Sequence, residues 1–140
     1  MSRFVIDASI VLAWCFPDEH SAVAQHVAEK FKQGDTALAT SFWPHEVLNA
    51  LLAGEKRKRI SSALSRTFLE ELATLPIVLE QFASGIVFER VEALSRKHDL
   101  TAYDAAYLEL ALREHLPLAT LDKQLRRAAI AANVAVYGEG

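Results

Sequence analysis

The sequence predicts an α/β fold in which a parallel β-sheet is sandwiched by helices. Short apolar runs, typical of strands buried on both faces, alternate with longer stretches of helical periodicity. Helical connections between strands form right-handed crossovers, and these make the strands parallel. The chain has 140 residues, of which 51% are hydrophobic and 24% charged. This length and composition predict one domain, spanning residues 1–140, with one core.

The first part of the chain predicts two strands and three helices. Residues 3–7 form an apolar run that ends in a carboxylate, and Ser9 is a candidate cap for the helix after it. Residues 21–32 carry apolar side chains at helical spacing and end at a turn. Residues 37–40 predict the second strand, and Pro44 suits the first turn of the helix that follows.

A further helix, a third strand and an amphipathic stretch come next. Ser61 or Ser62 can cap a helix whose apolar residues again recur at helical spacing. Residues 76–79 have the apolar character of a strand. After a break at Gly85, residues 86–97 are amphipathic. The alternation of strand and helix therefore continues through the middle of the chain.

The last part of the chain predicts two helices and two short strands. Thr101 and Asp104 form a capping box, with Asp in place of the usual Glu, at the start of a helix. Residues 117–120 predict the fourth strand, and Asp122 begins the final helix. Residues 135–137 predict a fifth, short strand at the end.

Charge and cysteine content exclude several classes of protein. A net charge of −3 argues against a protein that coats nucleic acid through many Lys and Arg residues. The basic cluster at residues 56–59 is either a solvated helix end or a local phosphate contact. Cys15 is the only cysteine, which excludes an intramolecular disulfide and indicates a cytoplasmic location. The apolar run over residues 4–16 contains Asp7 and is too short to span a membrane.

Four acidic residues are placed where they can meet at one edge of the sheet. Loops that leave the carboxyl ends of parallel strands converge on a crevice where ligands bind. Asp7 and Asp122 lie at such ends, and Glu46 and Asp104 lie in first turns of helices. Taken singly, acids in these positions are most often helix caps. Asp7 is different because its apolar flanks predict burial, and a buried carboxylate requires a partner or a cation.

Four carboxylates in one place predict a site for divalent metal. They would repel one another without a counter-ion, and Mg²⁺ or Mn²⁺ prefers carboxylate and water oxygens. Two such ions, roughly 3.5–4 Å apart, activate a water and stabilise the leaving oxygen when a phosphodiester is cut. This is the simplest chemistry that the four acids support.

Four sequence runs resemble the motifs of PIN-domain nucleases, in particular the VapC-type toxins of bacterial toxin-antitoxin systems. The runs are FVIDAS around Asp7, HEVLNAL around Glu46, LTAYDAAYLELAL around Asp104 and LATLDKQL around Asp122. They cover nearly the whole chain in the order of the family, although no single run is specific. The resemblance implies a single PIN-like domain with sheet order 3-2-1-4-5, in which the ends of the first and fourth strands are neighbours.

The resemblance also implies a function, a metal and partners. It implies a Mg²⁺-dependent endoribonuclease, with Mn²⁺ able to substitute, in which Asp7 and Asp104 are core ligands and Glu46 and Asp122 complete the site. Polar residues that match neighbours of the family's site are Ser9, Asn49 and Thr120. Family members cut RNA, form homodimers and are silenced by a cognate antitoxin that lies in a groove beside the site.

Two alternatives remain open from the sequence alone. A related DNA nuclease or a phosphatase uses the same carboxylates and metal, although Ser9 stands where a haloacid-dehalogenase-like phosphatase would have a second Asp. The other alternative is an antitoxin-binding or protein-binding module of the same fold without catalysis, in which the acids serve only as caps.

Overall fold

Apolar runs with turn residues at each end form the strands of the sheet, as predicted. The structure is a computed structural model that describes residues 2–138. Within these residues a parallel sheet has the strand order β3-β2-β1-β4. Its strands are β1 (Arg3–Ile6), β2 (Thr36–Thr40), β3 (Ile77–Glu80) and β4 (Leu118–Ala119). The central strand β1 pairs with both β2 and β4, so its carboxyl end lies beside that of β4.

Helices connect the strands and cover the sheet. They are α1 (Ala8–Cys15), α2 (Ala22–Lys32), α3 (Trp43–Lys56), α4 (Ser62–Leu72), α5 (Ser84–Ile86), α6 (Glu92–His98), α7 (Ala102–Glu114) and α8 (Lys123–Ala131). A 3₁₀ turn (Pro17–Glu19) follows α1, and a π-helical turn (Val87–Val91) joins α5 to α6. No helix in residues 2–138 has both the length and the apolar character needed to cross a membrane.

Side chains of β1 and β2 form the centre of the core. Phe4, Val5 and Ile6 are fully buried, because helices lie against both faces of the central strands. Helix α7 is the most deeply buried helix, with seven consecutive buried residues over 105–111, and it packs on β1, β2 and β4. Burying one large aliphatic side chain contributes about 1.5–3 kcal/mol, so these central residues dominate the stability of the fold.

Side-chain caps begin most of the helices where the sequence predicts them. The hydroxyls of Ser61 and Thr101 accept hydrogen bonds from backbone N–H groups in the first turns of α4 and α7. The expectation that Ser9 caps the first helix is wrong. Asp7, which has an extended backbone, is the cap of α1, because β1 ends at Ile6 and the helix starts directly after Asp7.

The expected fifth strand is also wrong, since the segment after α8 forms only one isolated bridge, between Leu118 and Val136, within residues 2–138. The N–H of Leu118 donates to the carbonyl of Ala135. Further along, the guanidinium of Arg126 donates to the carbonyls of residues 137 and 138. Those carbonyls are therefore held by a side chain instead of by a strand.

Candidate active site

Asp7 lies at the carboxyl end of β1 and is held by three donors. Its side chain caps α1, because Oδ1 accepts from the backbone N–H of Ser9 at 3.0 Å and from the Ser9 hydroxyl at 2.6 Å. Its other oxygen, Oδ2, accepts from the hydroxyl of Thr120. The residue is only 5% exposed. A buried carboxylate is thus surrounded by neutral hydrogen-bond donors.

The same two hydroxyls join the loop after β4 to Asp7 and to the first turn of α1. Ser9 Oγ accepts from the N–H of Leu121 at 2.8 Å, and Thr120 Oγ1 accepts from the N–H of Asp122 at 3.1 Å. Ser9 and Thr120 therefore both lie beside the carboxylate of Asp7. Asn49 does not join them: it is exposed on α3 and makes no hydrogen bond to the four acids in the described structure.

Glu46 lies in the first turn of α3, where its backbone N–H donates to the carbonyl of Phe42. Its carboxylate Oε1 accepts a 2.5 Å hydrogen bond from the hydroxyl of Tyr107, which comes from α7. No local feature of the sequence sets Tyr107 apart. Its position in a run of apolar helix residues made it indistinguishable from an ordinary core residue, and its partner is 61 positions away.

Asp104 and Asp122 occupy the starts of the last two long helices. Asp104 is half-buried in the first turn of α7, where its N–H donates to Thr101. Asp122 is exposed and caps α8, since its Oδ1 accepts from the N–H of Leu125 at 2.8 Å. Both placements agree with the predicted helix starts.

Burial and the charges of neighbouring acids raise the pKa values of three of the four acids. Burial raises the pKa of Asp7 from 3.8 to about 7; hydrogen bonds from Ser9 and Thr120 oppose this, and the charges of Asp104 and Glu46 add to it. Burial raises the pKa of Glu46, against the bond from Tyr107 and together with the charge of Asp104. Burial and then the charge of Asp122 raise the pKa of Asp104. Within residues 2–138, no Lys or Arg side chain lowers the pKa of these three carboxylates.

The donor set fits a hard divalent cation in its chemistry. It consists of carboxylate and hydroxyl oxygens, which Mg²⁺ and Mn²⁺ prefer, and the repulsion among the acids would be relieved by positive charge. In residues 2–138 as they stand, no three acidic, His or Cys side chains are grouped as a ready metal cage. Asp7 and Glu46 instead direct oxygens to neighbouring hydroxyls.

Comparison with known proteins gives concordant results. Residues 4–131 match the family described as PIN domain. Over 123 residues the chain is 32% identical to Ribonuclease VapC3 of Pyrobaculum aerophilum, covering 88% of this chain and 92% of that protein. The structure of PAE2754 from Pyrobaculum aerophilum superposes with a TM-score of 0.71 at 21% identity, covering 96% of this chain and 83% of the other. A toxin-antitoxin complex from Klebsiella pneumoniae contains a chain with a TM-score of 0.54 at 16% identity, with 85% and 86% covered.

Proposed function

The chain belongs to the PIN-domain family, and from that premise we propose that it is a metal-dependent endoribonuclease, the toxin of a type II toxin-antitoxin system. The observation that carries the proposal is Asp7, a buried carboxylate that is close to the charges of Asp104 and Glu46 and, within residues 2–138, to no cationic side chain. The similarity to Ribonuclease VapC3 over most of both chains supports RNA as the substrate.

In this proposal Asp7, Glu46, Asp104 and Asp122 would hold Mg²⁺, or Mn²⁺ in its place. The bound ion would act as a Lewis acid on the phosphodiester and make its water a nucleophile at neutral pH. The chain's own contribution is orientation. Hydrogen bonds from hydroxyls hold the Asp7 and Glu46 carboxylates in place and leave their negative charge available to a cation.

The proposed partners are RNA, a cognate antitoxin and a second copy of the chain. The structural similarity to a chain of a toxin-antitoxin complex is compatible with an antitoxin partner. An acidic site that has no basic side chain beside it within residues 2–138 would attract a basic antitoxin segment, for example an Arg that reaches the carboxylates. We place this activity in the cytoplasm, where RNA and antitoxin would meet the toxin.

Cleavage of total bacterial RNA by the purified chain tests the function. We expect discrete fragments with Mg²⁺ or Mn²⁺, and intact RNA with chelator or with the Asp7→Asn variant. Replacing the 2′-hydroxyls of the identified target by hydrogen should abolish cleavage, whereas a DNA nuclease would cut the deoxy substrate. Intact RNA with metal-loaded, antitoxin-free wild type would contradict the proposal and favour the non-catalytic binding module.

A further inference from the structure

We propose that Tyr107 is a positioning residue that holds Glu46 in the orientation that the cation site requires. This inference rests on the proposed function, because it concerns the same site. Tyr107 belongs to α7 and Glu46 to α3, and a 2.5 Å hydrogen bond from the phenol to Oε1 joins them. The tyrosine is only 1% exposed, so its hydroxyl is removed from bulk water.

The hydroxyl of Tyr107 is not explained by packing. Its neighbours on α7, residues 105–111, are all buried, and a Phe ring would fill the same space without bringing a polar group into the core. A buried hydroxyl without a partner is costly, and here the partner is the carboxylate of Glu46. The polar atom therefore serves the acid at the site.

Phe42 completes the arrangement by holding both residues. Its carbonyl accepts from the N–H of Glu46 at 3.1 Å, and its ring packs edge-on against Tyr107 with centroids 5.5 Å apart. The backbone and the carboxylate of Glu46 are thus held by two aromatic residues in contact with each other. A long, half-buried Glu side chain otherwise loses rotamer entropy when it binds a ligand.

A phenol donor also keeps the charge of the site intact. A Lys or Arg in the same place would orient Glu46 but would neutralise it and compete with a metal ion. Asp7 is held on the same principle, by the hydroxyls of Ser9 and Thr120. Uncharged hydroxyls therefore orient the carboxylates of both Asp7 and Glu46.

The test compares Tyr107→Phe with Tyr103→Phe, which makes the same chemical change one turn earlier in α7. Tyr103 is 61% exposed and packs edge-on against Phe42 at 5.0 Å, and its hydroxyl has no hydrogen bond within residues 2–138. We expect Tyr107→Phe to weaken Mn²⁺ binding, measured without RNA from the electron paramagnetic resonance signal of the free ion, by roughly tenfold. Tyr103→Phe should bind Mn²⁺ like wild type.

A double-mutant cycle shows whether Tyr107 acts through Glu46. In a Glu46→Ala background, which removes the carboxylate that accepts from Tyr107, Tyr107→Phe should have no further effect on Mn²⁺ binding or on the Mg²⁺ concentration that half-saturates RNA cleavage. Equal losses in both backgrounds would overturn the proposal, because a purely structural role does not depend on Glu46. Wild-type Mn²⁺ affinity in Tyr107→Phe would overturn it as well.

A second variant tests the proposal even if the Tyr107→Phe protein does not fold. Glu46→Asp keeps the charge but shortens the side chain by one methylene, so it should break the bond to Tyr107 and weaken Mn²⁺ binding by a similar factor. Wild-type affinity in Glu46→Asp would contradict the proposal. Failure of the proposed function would look different: wild type itself would then bind no Mn²⁺ and cut no RNA, whatever residue stands at position 107.

Discussion

Two buried aspartates lie at opposite ends of the central strands and have opposite electrostatic surroundings. Asp35 directly precedes β2, and Asp7 directly follows β1, the parallel neighbour of β2. Their exposed fractions are almost equal, 6% and 5%. Asp35 accepts from the backbone N–H and hydroxyl of Ser2, and Lys30 approaches it to 3.0 Å. These contacts, the backbone hydrogen bond first, lower the pKa of Asp35 to about 2.

Asp7 has as many hydrogen-bond donors, but within residues 2–138 no Lys or Arg forms an ion pair with it. Burial and the neighbouring acids raise its pKa to about 7 in spite of the hydroxyls of Ser9 and Thr120. Burial alone therefore does not mark a functional carboxylate. What distinguishes the two is the counter-charge, which Lys30 supplies to Asp35 and which no side chain within residues 2–138 supplies to Asp7.

The largest expected difference between the two aspartates is in RNA cleavage. Asp7→Asn removes a charge that would bind the metal, so the cleavage rate with Mg²⁺ should fall at least about 100-fold. Asp35→Asn, an identical chemical change at the other end of the strands, should leave the rate near that of wild type at temperatures where it is folded. A similar loss of activity in both variants, measured on the same RNA, would contradict a specific role of Asp7 in cleavage.

Metal-free stability should depend on pH through Asp7. Its folded pKa, about 7, lies above the ordinary value of 3.8, so the folded state holds the extra proton between these values. Asp7 therefore contributes most to the free energy of unfolding below about pH 4. This contribution decreases as the pH rises to 7, by up to about 1.4 kcal/mol per pH unit. The Asp7→Asn variant has no carboxyl group at this position, so its stability should not decrease in this way.

Urea unfolding in chelator from pH 4 to pH 8 measures this effect. The free-energy difference between Asp7→Asn and wild type should grow in favour of the variant up to pH 7 and then level off. Saturating Mg²⁺ should reverse the difference, because it favours the charged carboxylate that only wild type has. A difference that does not change with pH would show that Asp7 is not held in a desolvated, uncompensated state.

Stability at neutral pH should depend on Asp35 in the opposite sense. Asp35→Asn leaves Lys30, whose side chain is 16% exposed, without its partner and should lower the midpoint of thermal unfolding by several degrees at pH 7. Because the pKa of Asp35 is lowered, its contribution is present above about pH 4 and is lost as pH falls through 2. An unchanged midpoint at pH 7 would mean that this ion pair contributes little.

A smaller effect is expected for the hydroxyl that links Asp7 to the loop after β4. Thr120→Val removes the donor to Asp7 and the acceptor for the N–H of Asp122, and should reduce cleavage roughly tenfold. Thr120→Ser keeps the hydroxyl and should retain most of the activity. If the Ser and Val variants lost activity equally, the methyl group of Thr120 and its packing would be responsible instead.

Local patterns in the sequence predicted the frame of the site but not its contacts. Asp7 and Asp122 could be placed at one edge because strand ends and helix caps are signalled by a few adjacent residues. The bond between Tyr107 and Glu46 could not, because it joins residues 61 positions apart and a buried Tyr in an apolar helix has no local signature. The ion pair of Asp35 escaped for a related reason, since the sequence marked that position only as a turn.

The end of the sheet shows a second limit of local patterns. Residues 135–137 have the apolar character of a strand, yet they form a single bridge because Arg126 takes nearby carbonyls. The spacing of apolar residues on α8 does not reveal that Arg126 is buried. The carbonyls that bind its guanidinium belong to residues 137 and 138, and only the folded chain brings them to it. Competition of this kind for backbone groups is decided by tertiary structure.

We propose that Asp7, Glu46, Asp104 and Asp122 together bind a cation and that Asp35 does not. Titration of wild type, Asp7→Asn and Asp35→Asn with Mn²⁺, followed by electron paramagnetic resonance of the free ion, tests it most directly. We expect wild type and Asp35→Asn to bind Mn²⁺ equally and Asp7→Asn to bind at least about tenfold more weakly. Equal binding by all three proteins, or no binding by wild type, would contradict the claim.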